Sequence, residues 1–173
     1  MGVNMLLTIG GVILFSTFVL YANGLLSDNT AISSDNEYVI TAIALGQSVI
    51  DEAKTKAFDE NVIAGPPVSE ASFTAVNALG PEAGEAVALP DTAQNAGAAS
   101  FAAFDDIDDY NGYVRIVHTP RAENYRVTSS VVYASETNPD STRSTPTYCK
   151  RMMVTVSSPY FKQPVALSYA FTY

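Results

Sequence analysis

Cysteine, histidine and basic residues are scarce in this chain, and each scarcity removes a class of function. Cys149 is the single cysteine, so no disulfide can form within one molecule. His118 is the single histidine, and the sequence contains no Gly-x-Ser-x-Gly, phosphate-binding loop or dinucleotide-binding fingerprint. The residues that nucleophilic catalysis and nucleotide binding usually require are therefore missing from this sequence. We expect a protein that is not an enzyme and that has no cofactor.

Positive charge is sparse, because nine Lys and Arg residues face 18 Asp and Glu residues and leave a net charge of −9. No basic stripe is present to replace the counterions of phosphates, so we expect no nucleic-acid partner. Residues 1–109 hold 15 acids and two lysines, whereas residues 110–173 hold seven bases and three acids. This asymmetry is either chance surface variation or a sign that acidic and basic faces of neighbouring copies meet head to tail.

The first 27 residues contain no charged side chain, and no Lys or Arg precedes Lys54. As an α-helix, Val3 to Leu26 would span roughly 36 Å, which exceeds the hydrocarbon core of about 30 Å. Such a segment anchors a domain, is removed as an export signal, or is buried among copies of itself. A signal peptide carries a basic n-region, which is missing here, although Ala22-Asn-Gly24 loosely resembles a cleavage site. We expect the segment to be retained, with the rest of the chain outside.

Residues 1–27 are therefore predicted to form a hydrophobic N-terminal helix, transmembrane before assembly and central to a polymer afterwards. Small residues such as Gly10, Gly11 and Ser16 would let copies of this helix approach closely. The predicted assembly core comprises Val3, Leu6, Leu7, Ile9, Gly10, Val12, Ile13, Leu14, Phe15, Phe18, Val19 and Leu20.

Residues 28–173 are predicted to form one globular domain that begins with an amphipathic helix. Turn and cap formers fill residues 28–36, so we expect the long helix to break near residues 24–36. Ser34 and Glu37 fit a capping box that would begin the second helix, at about residues 37–58. Its small and apolar residues recur at steps of three and four and make one stripe, Val39, Ile43, Gly46, Ile50, Ala53 and Ala57.

The rest of the domain is predicted to be an irregular region, about 61–104, followed by a sheet, about 113–173. The sheet prediction rests on four runs of β-branched and aromatic residues that turn clusters separate, which favours antiparallel strands. One apolar face of such a sheet needs a cover, and the helix at 37–58 is the obvious candidate, so the fold class is α+β. The predicted helix-on-sheet core comprises Val39, Ile43, Ile50, Ala53, Val165, Leu167, Tyr169 and Phe171.

The densest polar cluster is Asp105-Asp-Ile-Asp-Asp-Tyr-Asn-Gly112. Carboxylates and an amide oxygen suit Ca²⁺, which makes this run a weak calcium candidate. The spacing does not fit an EF-hand loop, because Gly112 as position six would put Ile107 at position one. We therefore favour an acidic turn leading into the first strand over a metal site. The weak candidate ligands are Asp105, Asp106, Asp108, Asp109 and Asn111.

The layout of apolar helix, amphipathic helix and C-terminal antiparallel sheet resembles type IV pilins and pseudopilins, most closely their minor-pilin relatives. The stretch 36–58, with its Asn-Glu, Gln-Ser and Glu-x-x-x-x-x-Phe, is similar to the second half of the long pilin helix. The Asp-Asp-Ile-Asp-Asp-Tyr-Asn-Gly-Tyr segment, Met153-Val-Thr-Val-Ser and the final Phe171-Thr-Tyr also resemble that group. About 40 residues carry this match at the level of motifs.

The resemblance implies a structural subunit of an extracellular cell-surface filament, made of copies of this chain. It also implies passage through the inner membrane and a pilus or secretion assembly machinery as partner. The sequence departs from the family at its start, since pilins carry Glu at the fifth mature position and no carboxylate precedes Asp28 here. Asn4 and Thr8 are the nearby polar residues. Two alternatives stay open: a minor pilin or pseudopilin of an envelope machine, and a single-span membrane-anchored binding domain.

Overall fold

The computed structural model describes residues 2–63, 65–92 and 97–173, with the backbone alone at residues 28, 30–32 and 34. Its first element, α1, is an α-helix that spans Gly2–Ala53. The chain divides into two compact units, Met1–Tyr38 and Val39–Tyr173, and we call the second unit the head. This boundary lies later than the one predicted between residues 27 and 28.

The predicted break near residues 24–36 is wrong, because the backbone of α1 is helical throughout that stretch. Gly, Asn, Asp and Ser disfavour a helix interior by no more than about 1 kcal/mol each. Proline, which would force a break, first occurs at Pro66. The helix also ends earlier than the predicted residue 58. The N–H groups of Thr55 and Lys56 donate to the carbonyls of Glu52 and Ala53 at 3.1 Å, which tightens the end into a turn.

Short elements connect α1 to the sheet. Helix α2 spans Glu60–Ile63 and helix α3 spans Ala99–Ala103. Three-residue 3₁₀ turns lie at Glu70–Ser72, Val76–Ala78 and Asp108–Tyr110. The described part of residues 61–104 is therefore mostly loop with short helical turns, as the lack of a sustained period predicts.

The sheet contains four antiparallel strands in the order β1-β2-β3-β4. The register places Val127 opposite Val156 and Val154 opposite Leu167. Burial alternates along β2, as expected for a sheet with one covered face. The α+β fold class is confirmed. The strands are β1 Val114–Val117, β2 Tyr125–Tyr133, β3 Cys149–Ser157 and β4 Val165–Thr172.

The part of α1 within the head packs on this sheet at a glycine. A Cβ atom on Gly46 would lie 2.7 Å from Leu167 Cδ1 and 3.3 Å from Val156 Cγ2, so the helix backbone approaches the strands closely. On either side of Gly46, Ala42 and Val49 have no exposed surface. The buried face of the helix therefore runs through positions 42, 46 and 49.

This face only partly matches the predicted helix-on-sheet core. Ile50, Ala53 and Phe171 are buried, and Val39, Val165 and Leu167 are half-buried. The assignment of Ile43 and Tyr169 to the core is wrong, since 43% and 39% of their surfaces are exposed. Ile43 follows Ala42 by one residue, about 100° around the helix, and therefore lies at the edge of the face that the sheet covers.

Candidate functional site

The apolar half of α1, Gly2–Ser27, has the length and composition to cross a membrane. Its mean hydropathy is 2.1, and none of it is buried within the molecule. Fifteen large apolar side chains between Val3 and Leu26 are exposed, from 45% for Val19 to 76% for Leu6. Eleven of the twelve residues in the predicted assembly core are exposed, and Gly10 is half-exposed. A surface of this kind needs lipid or another protein as cover.

Gly10 and Gly11 form the floor of a shallow groove on this segment. A Cβ atom on either glycine would meet no other atom within 4 Å, so both positions are open to a neighbour. The hydroxyl of Thr8 lies 3.1 and 2.9 Å from the carbonyl oxygens of Asn4 and Met5, and it is hydrogen-bonded within its own helix. The lining residues are Val3, Leu6, Leu7, Gly10, Gly11 and Leu14.

In the head, a buried ion pair joins the end of α1 to β1. Arg115, 2% exposed, donates from Nη2 to Glu52 Oε2 at 2.7 Å. The hydroxyls of Ser100 and Tyr110 donate to Glu52 Oε1 at 2.6 and 3.0 Å. Burial raises the pKa of Tyr113, which accepts a bond from Arg115 Nε, to about 12. The Nε and Nη2 of Arg115 and the hydroxyls of Ser100 and Tyr110 all donate to acceptors inside the head, so this group organises the fold.

A second buried group surrounds Lys150, which has no exposed surface. Its Nζ donates to the carbonyl of Phe58 at 2.7 Å, to Asp59 Oδ2 at 2.8 Å, and to Asp108. Burial alone would raise the pKa of Asp59, but the hydrogen bond and charge of Lys150 lower it. Tyr133 also donates to Asp59 Oδ2, at 3.0 Å. Asp108, one of the weak calcium candidates, is therefore already paired.

The other calcium candidates do not form one ligand set. Asp106 Oδ1 accepts the N–H groups of Asp108 and Asp109 at 2.8 and 3.2 Å, which shapes the turn. Burial, aided by the charge of Asp108, raises the pKa of Asp106 to about 9. Asn111 donates to the carbonyl of Leu79 at 3.0 Å and accepts the N–H of Val131 at 3.1 Å. Asp105 and Asp109 remain, and both lie beside acids from elsewhere in the chain.

Those acids and the two aspartates form what we call the acidic cluster. Oxygens of Glu82, Glu85 and Asp109 lie within 4.8 Å of one another, as do oxygens of Glu60, Glu85 and Asp105. Burial raises the pKa of Glu82 to about 7 and that of Asp109 to about 6. A side-chain hydrogen bond with Glu85 adds to the shift of Glu82, and the nearby charges of other carboxylates add to both shifts. Five carboxyl groups this close can hold protons or a cation.

Comparison with models of known protein families, with characterised proteins and with solved structures finds no match to this chain. The resemblance to type IV pilins therefore rests on the residues quoted above.

Sequence reasoning missed three members of the acidic cluster, Glu60, Glu82 and Glu85. Glu82 and Glu85 lie in a loop without hydrophobic period, so nothing local indicates what they face. A weak signal is the pair of glycines around them, since Gly80 and Gly84 adopt φ angles of 139° and 113°. Such angles favour glycine and bend the loop back on itself. The sequence gives no indication that the bend meets residues 105–109.

Proposed function

We propose that this chain is a structural subunit of an extracellular type IV pilus-like filament that polymerises through the apolar half of α1. Before assembly the segment would lie in the inner membrane, and a pilus or secretion machinery would move it into the filament. The observation that carries the proposal is the combination of an exposed apolar helix with a head that has its own buried core and buried ion pairs.

The exposed segment supplies a strong drive to avoid water. Fully burying its fifteen large apolar side chains would contribute roughly 20–45 kcal/mol before entropic costs are deducted. Lipid provides the same cover, so this drive alone does not favour a filament over a membrane anchor. The Gly10–Gly11 groove favours the filament. In lipid the apolar side chains are already covered, so helices associate through close packing, which small residues permit.

The distinguishing experiment is to fill the groove without changing its polarity. Gly10→Leu combined with Gly11→Leu keeps the segment apolar and able to insert, but blocks close approach of a neighbouring helix. We expect producing cells to carry this variant in the membrane fraction and to lose sheared surface filaments. Val12→Leu, on the same segment, is the matched control and should retain filaments. The measurement is electron microscopy of sheared material with immunodetection of both fractions.

Three outcomes would contradict the proposal. Wild-type cells without filaments containing this chain would point to the membrane-anchored domain. Filaments in which the chain is a trace component would indicate a minor pilin or pseudopilin. Filaments unaffected by the double Leu substitution would show that the groove is not where subunits meet.

A further inference from the structure

The triad Glu82, Glu85 and Asp109 has the spacing of a cation site. One oxygen from each side chain lies within 4.8 Å of the other two. Oxygens bound to the same Ca²⁺ at about 2.3–2.6 Å can be no more than about 5 Å apart. The three carboxylates therefore meet the distance requirement for binding a single ion.

Asp109 gives a second and independent sign of a ligand. The residue has no exposed surface, and its Oδ2 accepts the N–H groups of Asp105 and Asp106 at 3.0 and 3.2 Å. Its Oδ1 is buried and has no hydrogen-bond partner among the described residues. A buried carboxylate oxygen without a donor is costly, so a positive ligand would remove that cost.

Lysines close to this region have other partners. Lys56 Nζ donates to the carbonyls of Phe101 and Phe104 at 2.8 and 2.7 Å. Lys150 is paired with Asp59 and Asp108. The ion pairs found among the described residues do not include any member of the triad. Its charge is therefore left for protons or for a metal ion.

We propose that Glu82, Glu85 and Asp109 bind one divalent cation of the Ca²⁺ class. An all-oxygen set from irregular segments suits Ca²⁺, which accepts variable geometry, better than Mg²⁺, which demands a near-ideal octahedron. The ion would join the loop at residues 80–85 to the turn Asp108–Tyr110. It would act as a cross-link in a chain whose single cysteine excludes an internal disulfide. This site is independent of the filament proposal.

The test uses the full chain in detergent after removal of metal with EDTA. Calorimetric titration with CaCl₂ should show one saturable site, and thermal unfolding followed by circular dichroism should occur at a higher temperature in Ca²⁺ than in EDTA. Glu82→Gln should weaken Ca²⁺ binding by at least about tenfold, since even changes behind the ligands cost 10–100-fold. Glu123→Gln, the same change at an exposed acid between β1 and β2, should bind like wild type.

The unfolding temperature in EDTA distinguishes the loss of a metal ligand from a general loss of stability. Glu82→Gln removes an ionisable carboxyl from a repulsive group, so without metal the variant should unfold no lower than wild type. An EDTA-treated variant that is less stable would show that the Glu82 carboxylate serves the fold itself, which overturns the proposal. Absence of saturable Ca²⁺ binding to wild type, equal binding to Glu82→Gln, or equally tight Mg²⁺ binding would overturn it as well.

Discussion

Replacing Lys150 by Met should destabilise the head strongly. The substitution keeps an unbranched side chain of similar length but removes the cation that Asp59 and Asp108 share. All three side chains have no exposed surface, and the Lys150–Asp59 contact is 2.8 Å. Breaking a buried pair costs about 3–5 kcal/mol, because the remaining charge is left without compensation. For a domain of this size such a loss lowers the unfolding temperature by about 6–20 °C.

The pH profile shows whether the loss is electrostatic. Lys150 holds the pKa of Asp59 below its ordinary value. The stability that Asp59 contributes to wild type is therefore present above the ordinary pKa and lost as the pH falls through the folded pKa. Without Lys150, burial raises the pKa of the carboxyl, and the variant gains stability as the pH falls. The difference in unfolding free energy between the two proteins should thus shrink from pH 7 towards pH 4.

The assay is chemical unfolding of the full chain in detergent, followed by circular dichroism. Lys162→Met, at an exposed position, is the matched control and should change the unfolding free energy by no more than about 0.5 kcal/mol. Adding Asp108→Asn to Lys150→Met should recover part of the loss, because one of the two orphaned charges is removed. An unfolding free energy of Lys150→Met within about 1 kcal/mol of that of wild type at pH 7 would show that the Lys150–Asp59 pair does not stabilise the head.

Other predictions concern packing in the head. Gly46→Leu should lower stability by about 1–3 kcal/mol through overpacking against Leu167, while Ala44→Leu on the exposed face should not, and equal effects would contradict the close approach. Cys149 is buried, and burial raises the pKa of its thiol, so it should resist iodoacetamide at pH 8 until the protein is unfolded. Labelling at the rate of a free thiol would contradict its burial. Ile43→Asp should leave the detergent-solubilised monomer folded whereas Ala42→Asp should unfold it, and the reverse order of stabilities would restore the predicted stripe.

Periodicity predicted the elements of this fold well and their contacts less well. The alternating run from Val165 to Phe171 predicted β4 as a strand, because a strand repeats every two residues, although Tyr169 in that run is exposed. The apolar stripe of a helix is less sharply defined than the alternation of a strand. Gly46 lies in the predicted stripe, but the stripe does not show how closely the sheet approaches the helix there. That approach depends on Leu167 and Val156, which are distant in sequence. Local pattern thus identifies a helix face to within one residue, and tertiary packing selects the residue at its centre.

The break predicted near residues 24–36 shows the limit of propensity. Residues that favour caps also tolerate helix interiors at modest cost, and helix formation is cooperative along a chain. Strong helical segments on both sides outweigh such costs when no proline intervenes. A proline-free interval between two helical patterns is therefore better interpreted as continuous helix than as a break.

The uneven charge of the sequence has a partial explanation within one molecule. Arg115 and Lys150 come from the basic part of the chain, residues 110–173, and their carboxylate partners Glu52, Asp59 and Asp108 come from the acidic part. Both cations are buried, so neither can contact a neighbouring copy.

The acidic cluster, in turn, keeps an excess of negative charge that these cations do not reach. Any contact between acidic and basic faces of neighbours must therefore use exposed bases, whose pairs are weak and screened by salt. Cohesion between copies would then depend on the apolar half of α1, since its exposed side chains are the ones that salt does not screen.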